Sequence, residues 1–113
     1  ICKINFANYR EIEVIETSFS CAHNYLPYKN SFFICDSFNQ KVFFGSEEFI
    51  SSDGFTRGLL IDGDMLIVGA SEKKHILKLR QKSKILICEL NTKKIINQIN
   101  LNTQIFDIIK SPI

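Results

Sequence analysis

The chain has 113 residues, of which 45% are hydrophobic, and a formal net charge of +2 at pH 7. This composition is that of one small globular domain and excludes an intrinsically disordered chain. The weak positive charge argues against a nucleic-acid partner. No apolar run approaches the roughly 18 residues of a membrane span, so we expect no membrane association.

Four cysteines lie far apart in the sequence and form no C-x-x-C pair, which argues against a zinc site. Cys35 and Cys88 fall within apolar runs, where a thiol behaves as a small hydrophobic side chain. We therefore expect reduced, structural cysteines, a cytoplasmic location, and neither a metal nor a cofactor.

Short predicted strands follow one another along the chain. Residues 1–6 and 12–15 alternate weakly between apolar and polar, and are predicted to form strands with one solvated face. Further strands are predicted at residues 24–28, 31–36, 41–44 and 48–51. Pro27 lacks the N–H of a ladder donor, so the strand that contains it is predicted to be irregular or to lie at the wall of a central channel.

The clearest hairpin is formed by residues 54–71, where two apolar runs flank Asp62-Gly63-Asp64. Gly58 and Gly69 bracket this hairpin at predicted close approaches of the backbone. Residues 72–84 are rich in Lys and Arg with helical periodicity, and are predicted to form a solvated loop with a helical turn. Strands are then predicted at residues 85–90 and 95–101, and residues 105–109 are predicted to begin another inner strand.

An internal repeat relates two parts of the chain. Residues 23–37 align without a gap with residues 57–71, at an offset of 34 residues. A period of about 20–50 residues with four short strands per unit is typical of a propeller blade. The predicted fold is therefore an all-β segment of a β-propeller. Residues 1–20 end one blade, residues 21–53 form a blade, residues 54–101 form a second with the insert 72–84, and residues 102–113 begin the next.

A propeller closes with about four to eight blades, and open blades expose sheet edges that invite aggregation. We therefore expect the missing blades to come from the remainder of a longer propeller chain or from further copies of this chain.

Several motifs resemble those of a group of bacterial domain-of-unknown-function proteins. These motifs are His23-Asn24, Asp36-Ser37, Gly54-Phe55-Thr56-Arg57-Gly58-Leu59, Val68-Gly69-Ala70-Ser71 and Ile105-Phe106-Asp107-Ile108. The C-terminal part of those proteins carries a GF-x-RGL…VG-x-S…EIYDI pattern and is similar to six-bladed β-propellers. The resemblance covers roughly residues 21–112 and departs at Gln104, where the pattern has an acidic residue. It implies the propeller fold and no particular activity.

His23, Asn24 and Arg57 are the candidate ligand-binding residues. The repeat alignment places His23 and Arg57 at equivalent starts of inner strands, which in a propeller reach the mouth of the channel. An arginine with a histidine can hold a carboxylate or phosphate. In the alternative interpretation Arg57 pairs with Asp36 of the neighbouring blade and His23 bonds a loop carbonyl. We predict a binding or scaffolding module, rather than an enzyme, that accepts a small anionic ligand or a partner's side chain.

Likeness to the lactonase branch of six-bladed propellers implies a second function, that of a metal-dependent hydrolase or lactonase. Those enzymes hold a metal through carboxylate and amide oxygens, and Asn24 is the one candidate ligand of this kind here. No serine lies in a G-x-S-x-G motif, so no catalytic residue is predicted. Ser37 and Ser71 are assigned to bonding the backbone of the turns that follow them.

Overall fold

The computed structural model describes residues 2–4, 12–14, 18–72 and 82–112. These residues contain no helix, and thus none long and apolar enough to cross a membrane. The helical turn predicted for the basic insert falls on residues 73–81, outside the described residues. The strands are β1 (Cys2–Ile4), β2 (Ile12–Val14), β3 (Ala22–Tyr28), β4 (Ser31–Asp36), β5 (Lys41–Phe44), β6 (Glu47–Ser51), β7 (Phe55–Asp62), β8 (Met65–Ser71), β9 (Ser83–Glu89) and β10 (Lys94–Leu101).

Two four-stranded antiparallel sheets make up the described fold. The first sheet has the order β3-β4-β5-β6, and the second sheet has the order β10-β9-β8-β7, so that every strand pairs with its neighbours in sequence. β1 and β2 form a separate antiparallel pair. The prediction of an all-β chain with two four-stranded units is confirmed.

Strand boundaries differ from the prediction in a few places. β3 begins at Ala22, earlier than predicted, and β9 begins at Ser83 rather than Ile85, whereas β7 begins at Phe55 within the predicted hairpin of residues 54–71. Residues 105–109, predicted as a strand, are not one, because they form no ladder with another described strand. Pro27 lies in β3, which is an edge strand of the first sheet and therefore tolerates the missing donor.

One hydrophobic core joins the two sheets. Its fully buried members include Phe33 and Val42 of the first sheet and Leu66 and Val68 of the second. β7 packs against β3, β4 and β5, so this edge strand of the second sheet lies on the first sheet. This packing brings the start of β7 beside the start of β3.

β3 and β7 carry a bulge at the same position of the repeat. The pairing register skips Asn24 in β3 and Gly58 in β7, and both residues have positive φ, +50° and +77°. A Cβ on Gly58 would lie 2.9 Å from Cγ1 of Ile108, and a Cβ on Gly69 would lie 2.2 Å from the carbonyl oxygen of Arg57. The close backbone approaches predicted at these two glycines are confirmed.

The outermost strands of the two sheets differ in burial. β6 contributes two buried side chains, Phe49 and Ile50, to the core. β10 is exposed over nearly its whole length, and Ile96 is 50% exposed. The sequences of both strands contain apolar residues, so hydrophobicity alone does not decide which of these two edge strands is buried.

Candidate functional site

The ring of His23 is held in one tautomer by two hydrogen bonds. Its Nδ1 lies 2.9 Å from the carbonyl oxygen of Cys21 and 2.9 Å from Oγ of Ser37. A carbonyl oxygen only accepts, so Nδ1 carries the proton. The Ser37 hydroxyl donates to the carbonyl oxygen of Thr56 at 2.6 Å and therefore accepts from His23. These bonds leave Nε2 as an acceptor when the ring is neutral.

Arg57 supplies the donor for that acceptor. Its Nη2 lies 3.1 Å from Nε2 of His23, and a guanidinium group can only donate. His23 is therefore neutral in this arrangement, and both of its ring nitrogens are engaged. The two residues that the repeat alignment made equivalent are thus bonded to each other, and His23 positions Arg57.

Two phenylalanine rings flank the guanidinium group of Arg57. Its Cζ lies 5.2 Å from the ring centroid of Phe55 and 5.4 Å from that of Phe106. Both distances are within the range of cation–π attraction. Its Nε is buried and has no hydrogen-bond partner among the described residues.

The predicted ion pair between Arg57 and Asp36 does not form. Asp36 instead accepts hydrogen bonds from the Ser20 amide and the Asn39 side chain, each at 2.8 Å. No carboxylate of the described residues lies within 4.0 Å of Arg57. Of that alternative interpretation, only the bond from His23 to a loop carbonyl, that of Cys21, is confirmed.

Asn24 connects the two sheets and the segment of residues 105–108. Its Oδ1 accepts from the Gly58 amide at 2.8 Å, and its Nδ2 donates to Oδ1 of Asp107 at 3.1 Å. The same Asp107 oxygen accepts from the Ile108 amide at 2.8 Å. The side-chain oxygen of Asn24 thus satisfies the backbone of the β7 bulge.

Ser37 and Ser71 bond to the next unit of the chain. Ser37 donates to Thr56 in β7, and Ser71 accepts from the Ile105 amide at 3.0 Å. The assignment of both hydroxyls to the turns that follow them is wrong for these bonds, because each one crosses to the next unit. We call the contacts between β4 and β7 the first junction, and those between β8 and residues 105–108 the second junction.

The contacts at the two junctions also show which residue of the segment 105–108 corresponds to Arg57 of β7. Ile105 contacts Gly69 and Ser71, as Thr56 contacts the equivalent residues Cys35 and Ser37. Phe106, which follows Ile105, is therefore placed relative to the second junction as Arg57, which follows Thr56, is placed relative to the first. The sequence analysis placed Phe106 and Asp107 in a motif of the resemblance but not at the site, because the insert lengthens the second offset and breaks the 34-residue spacing.

Three described cysteines are free thiols. Burial raises the pKa of Cys35 to about 12 and that of Cys88 to about 11, so both are protonated and inert at neutral pH. Cys21 is half-buried, and its Sγ lies 3.7 Å from Nδ1 of His23. That nitrogen already carries a proton and cannot accept one from the thiol, so the pair is not a nucleophile with its base.

No group of three or more His, Cys, Asp or Glu side chains in the described ranges is arranged to hold a metal ion. A shallow cavity of about 180 Å³ lies away from the three predicted residues and is lined by Asp53, Gly54, Ala70, Glu72, Lys82, Ser83 and Lys84. At its rim, Lys84 bonds Asp53 at 2.6 Å and lowers the pKa of that carboxyl group.

Comparison with known proteins yields no relative, because no family model, no curated protein and no solved structure matches the chain.

Proposed function

We propose that the chain is a segment of a β-propeller related to the six-bladed class. Three features support this. The two sheets have the same strand order and each pairs only sequence neighbours. β3 and β7 bulge at the same position of a 34-residue repeat. Equivalent serines, Ser37 and Ser71, each reach the first segment of the following unit. Such a constant step from unit to unit is what radial repetition requires.

We further propose that the module binds a small anionic group at Arg57, at the mouth of the propeller channel. The observation that carries this proposal is the environment of the guanidinium group. It has five N–H donors, and the described residues supply it with one acceptor, Nε2 of His23, and no carboxylate. A guanidinium held in place with unused donors is suited to a carboxylate or phosphate oxygen.

In this proposal His23 and Asn24 act indirectly. His23 positions Arg57, and Asn24 stabilises the bulge of β7. Both ring nitrogens of His23 are engaged, which fits a residue that orients Arg57 rather than one that exchanges protons. Asn24 fixes the Gly58 amide next to Arg57 in the chain. This division of roles favours a binding or scaffolding module over an enzyme.

Anion binding is tested by titrating the ¹⁵N-labelled protein with sodium acetate and with sodium phosphate at constant ionic strength. We expect saturable shifts of the Gly58 and Phe106 amides. The Arg57→Gln variant should bind about tenfold more weakly or not at all, because a charge-assisted bond is lost. The His23→Ala variant should also bind more weakly, because Arg57 loses its support.

Lys110→Gln is the matched control, because it removes one positive charge from an exposed residue paired with Asp62. It should leave acetate affinity unchanged. Equal weakening in the Lys110→Gln and Arg57→Gln variants would mean that net charge rather than a site binds the anion, and would refute the proposal.

The propeller is tested by the mass of the native gene product and of its assembly in solution. A chain roughly two to three times longer, or an assembly of several copies, supplies the blades needed to close the ring. A native chain of this length that remains monomeric at high concentration would contradict the propeller.

A further inference from the structure

Aromatic side chains form a continuous row through the anion site proposed above. The ring of Phe38 lies 5.4 Å from that of Phe55 in an edge-to-face arrangement. Phe55 contacts the guanidinium group of Arg57, which in turn contacts Phe106. The two ends of this row face solvent, since Phe38 is 57% and Phe106 is 63% exposed.

Single exposed apolar side chains are common on protein surfaces and need no explanation. Here, however, the exposed ring of Phe106 lies beside a cation whose buried Nε finds no acceptor among the described residues. A ligand that meets Arg57 in the plane of its guanidinium group therefore lies beside at least one exposed ring. Such a site offers a charged contact and an apolar contact to the same molecule.

The local charge restricts the anion. Asp107 follows Phe106 in the chain, is exposed, and is held by Asn24 and the Ile108 amide. Its carboxylate offsets part of the single positive charge of Arg57, so the site has no excess positive charge to balance a second negative charge on a ligand. The site is therefore better matched to a carboxylate with one negative charge than to a phosphate with two.

We propose that the ligand of this site is a small aromatic carboxylic acid, whose carboxylate bonds to Arg57 and whose ring packs against Phe106. The inference rests on the anion-binding function proposed above and adds the ring and the single charge. Aromatic contacts prefer offset or edge-to-face geometry, which the existing row already shows.

The test compares four probes by the same ¹⁵N chemical-shift titration: acetate, phenylacetate, benzyl alcohol and inorganic phosphate. We expect phenylacetate to bind about fivefold more tightly than acetate, the gain of one aromatic pair. Benzyl alcohol, which has the ring without the charge, should show no saturable binding at Gly58. Inorganic phosphate at pH 8 should bind more weakly than phenylacetate.

Two variants locate the contribution of the ring. In Phe106→Ala, the ratio of phenylacetate to acetate affinity should fall towards one. In the control Ile99→Ala, which removes an exposed apolar side chain from β10, the ratio should stay at its original value.

The outcomes separate the inference from the function on which it rests. Equal affinity for acetate and phenylacetate would overturn the aromatic ligand while leaving anion binding intact. Binding of benzyl alcohol as tight as that of phenylacetate would overturn it by showing that the charge contributes nothing. Absence of binding by all four probes would refute the anion site and the inference together.

Discussion

The first and second junctions hold different side chains at the same positions. At the first, the buried side chain of Cys35 lies beside Thr56, whose hydroxyl donates to the carbonyl oxygen of Lys41 at 3.0 Å. At the second, Gly69 has no side chain, and Ile105 fills the space, with Cγ2 2.6 Å from where a Cβ of Gly69 would lie. Gly69, which is smaller than Cys35, therefore faces Ile105, which is larger than Thr56.

This difference shows that backbone positions set the geometry of both junctions. The two facing side chains together fill the space between the backbones, and their relative sizes differ from one junction to the other. The serines show the constant part. Ser37 and Ser71 are both buried and both reach the next unit, although one donates to a carbonyl oxygen and the other accepts from an amide. Substitutions at each junction test how strongly the stability of the protein depends on the sizes and the hydrogen bonds of the facing side chains.

The largest effect is expected at the second junction for Gly69→Ala. The new methyl group would collide with the backbone oxygen of Arg57 and with Ile105. We expect the free energy of unfolding to fall by about 3 kcal/mol or more, measured by urea denaturation. Gly63→Ala is the control, because its φ is +58° but no atom lies within 4 Å of the added Cβ. It should cost about 1 kcal/mol, and equal losses in the two variants would contradict the close packing of the second junction.

Replacement of Ser37 or Ser71 by alanine should lower the free energy of unfolding by different amounts at the two junctions. Ser37→Ala removes bonds to both Thr56 and His23, and should lower the free energy of unfolding by about 2 kcal/mol. Ser71→Ala removes the bond from Ile105 and should cost about 1 kcal/mol. A larger loss for Ser71→Ala would reverse the order of the two junctions and show that the bond to His23 contributes nothing.

Alkaline pH should weaken the first junction and not the second. Burial raises the pKa of Cys35 to about 12, whereas an unfolded thiol titrates near 8.5. The unfolded chain therefore releases its proton first, and the stabilisation is lost as pH rises above about 8.5. Between pH 8 and pH 9 we expect Cys35 to account for about 0.7 kcal/mol of lost stability.

Thermal denaturation of the wild type and of Cys35→Ala at both pH values checks this, since the variant should lose less stability over the interval. Cys88→Ala is a second comparison, because burial raises the pKa of Cys88 to about 11, away from both junctions. Identical pH dependence in the wild type and Cys35→Ala would show that the thiol of Cys35 ionises freely in the folded protein.

The smallest effect is expected outside both junctions, at the ion pair of Asp53 with Lys84. Its hydrogen bond lowers the pKa of Asp53, but the Asp53 side chain is 71% exposed. Asp53→Asn should therefore cost only about 0.2–1 kcal/mol at pH 7. The pair stabilises the fold above the unfolded pKa of about 3.9, and its contribution is lost as pH falls through the lower folded value.

The difference between the wild type and Asp53→Asn should consequently vanish at pH 2 and shrink in 1 M salt. Urea denaturation under these three conditions measures it. A difference that persists at high salt would mean that Asp53 acts through packing rather than through charge.

Most of the strands could be predicted from the sequence, because alternation of apolar residues and the Asp62-Gly63-Asp64 turn are local signals. The start of β3 and the bulges of β3 and β7 could not, since Asn24 and Gly58 lie in those bulges and resemble loop residues. Residues 105–109 are apolar enough to be taken for a strand, yet Ile105 packs through its side chain and Ser71. A pattern of apolar residues predicts burial without specifying whether a ladder forms.

The repeat alignment made His23 and Arg57 equivalent, and the structure brings them into contact, but the sequence could not assign their roles. The tautomer of His23 depends on Cys21 and Ser37, whose positions follow from the bulge. That Arg57 binds an anion stays a prediction. Phe106 was not assigned to the site because the insert of residues 72–84 separates it from β8 and breaks the 34-residue spacing.

The pairing of every strand with its neighbour in sequence has a consequence for how the chain folds. Contacts between residues close in sequence form without closing long loops, so chains rich in them fold quickly. Each sheet can therefore form independently of the other. The hydrogen bonds from Ser37 to Thr56 and from Gly58 to Asn24 join the two sheets, so they can form only after both sheets exist. In hydrogen exchange, the amide of Gly58 should open at lower free energy than amides in the middle of β4 and β8, so the anion site would belong to the last and least stable cooperative unit of the molecule.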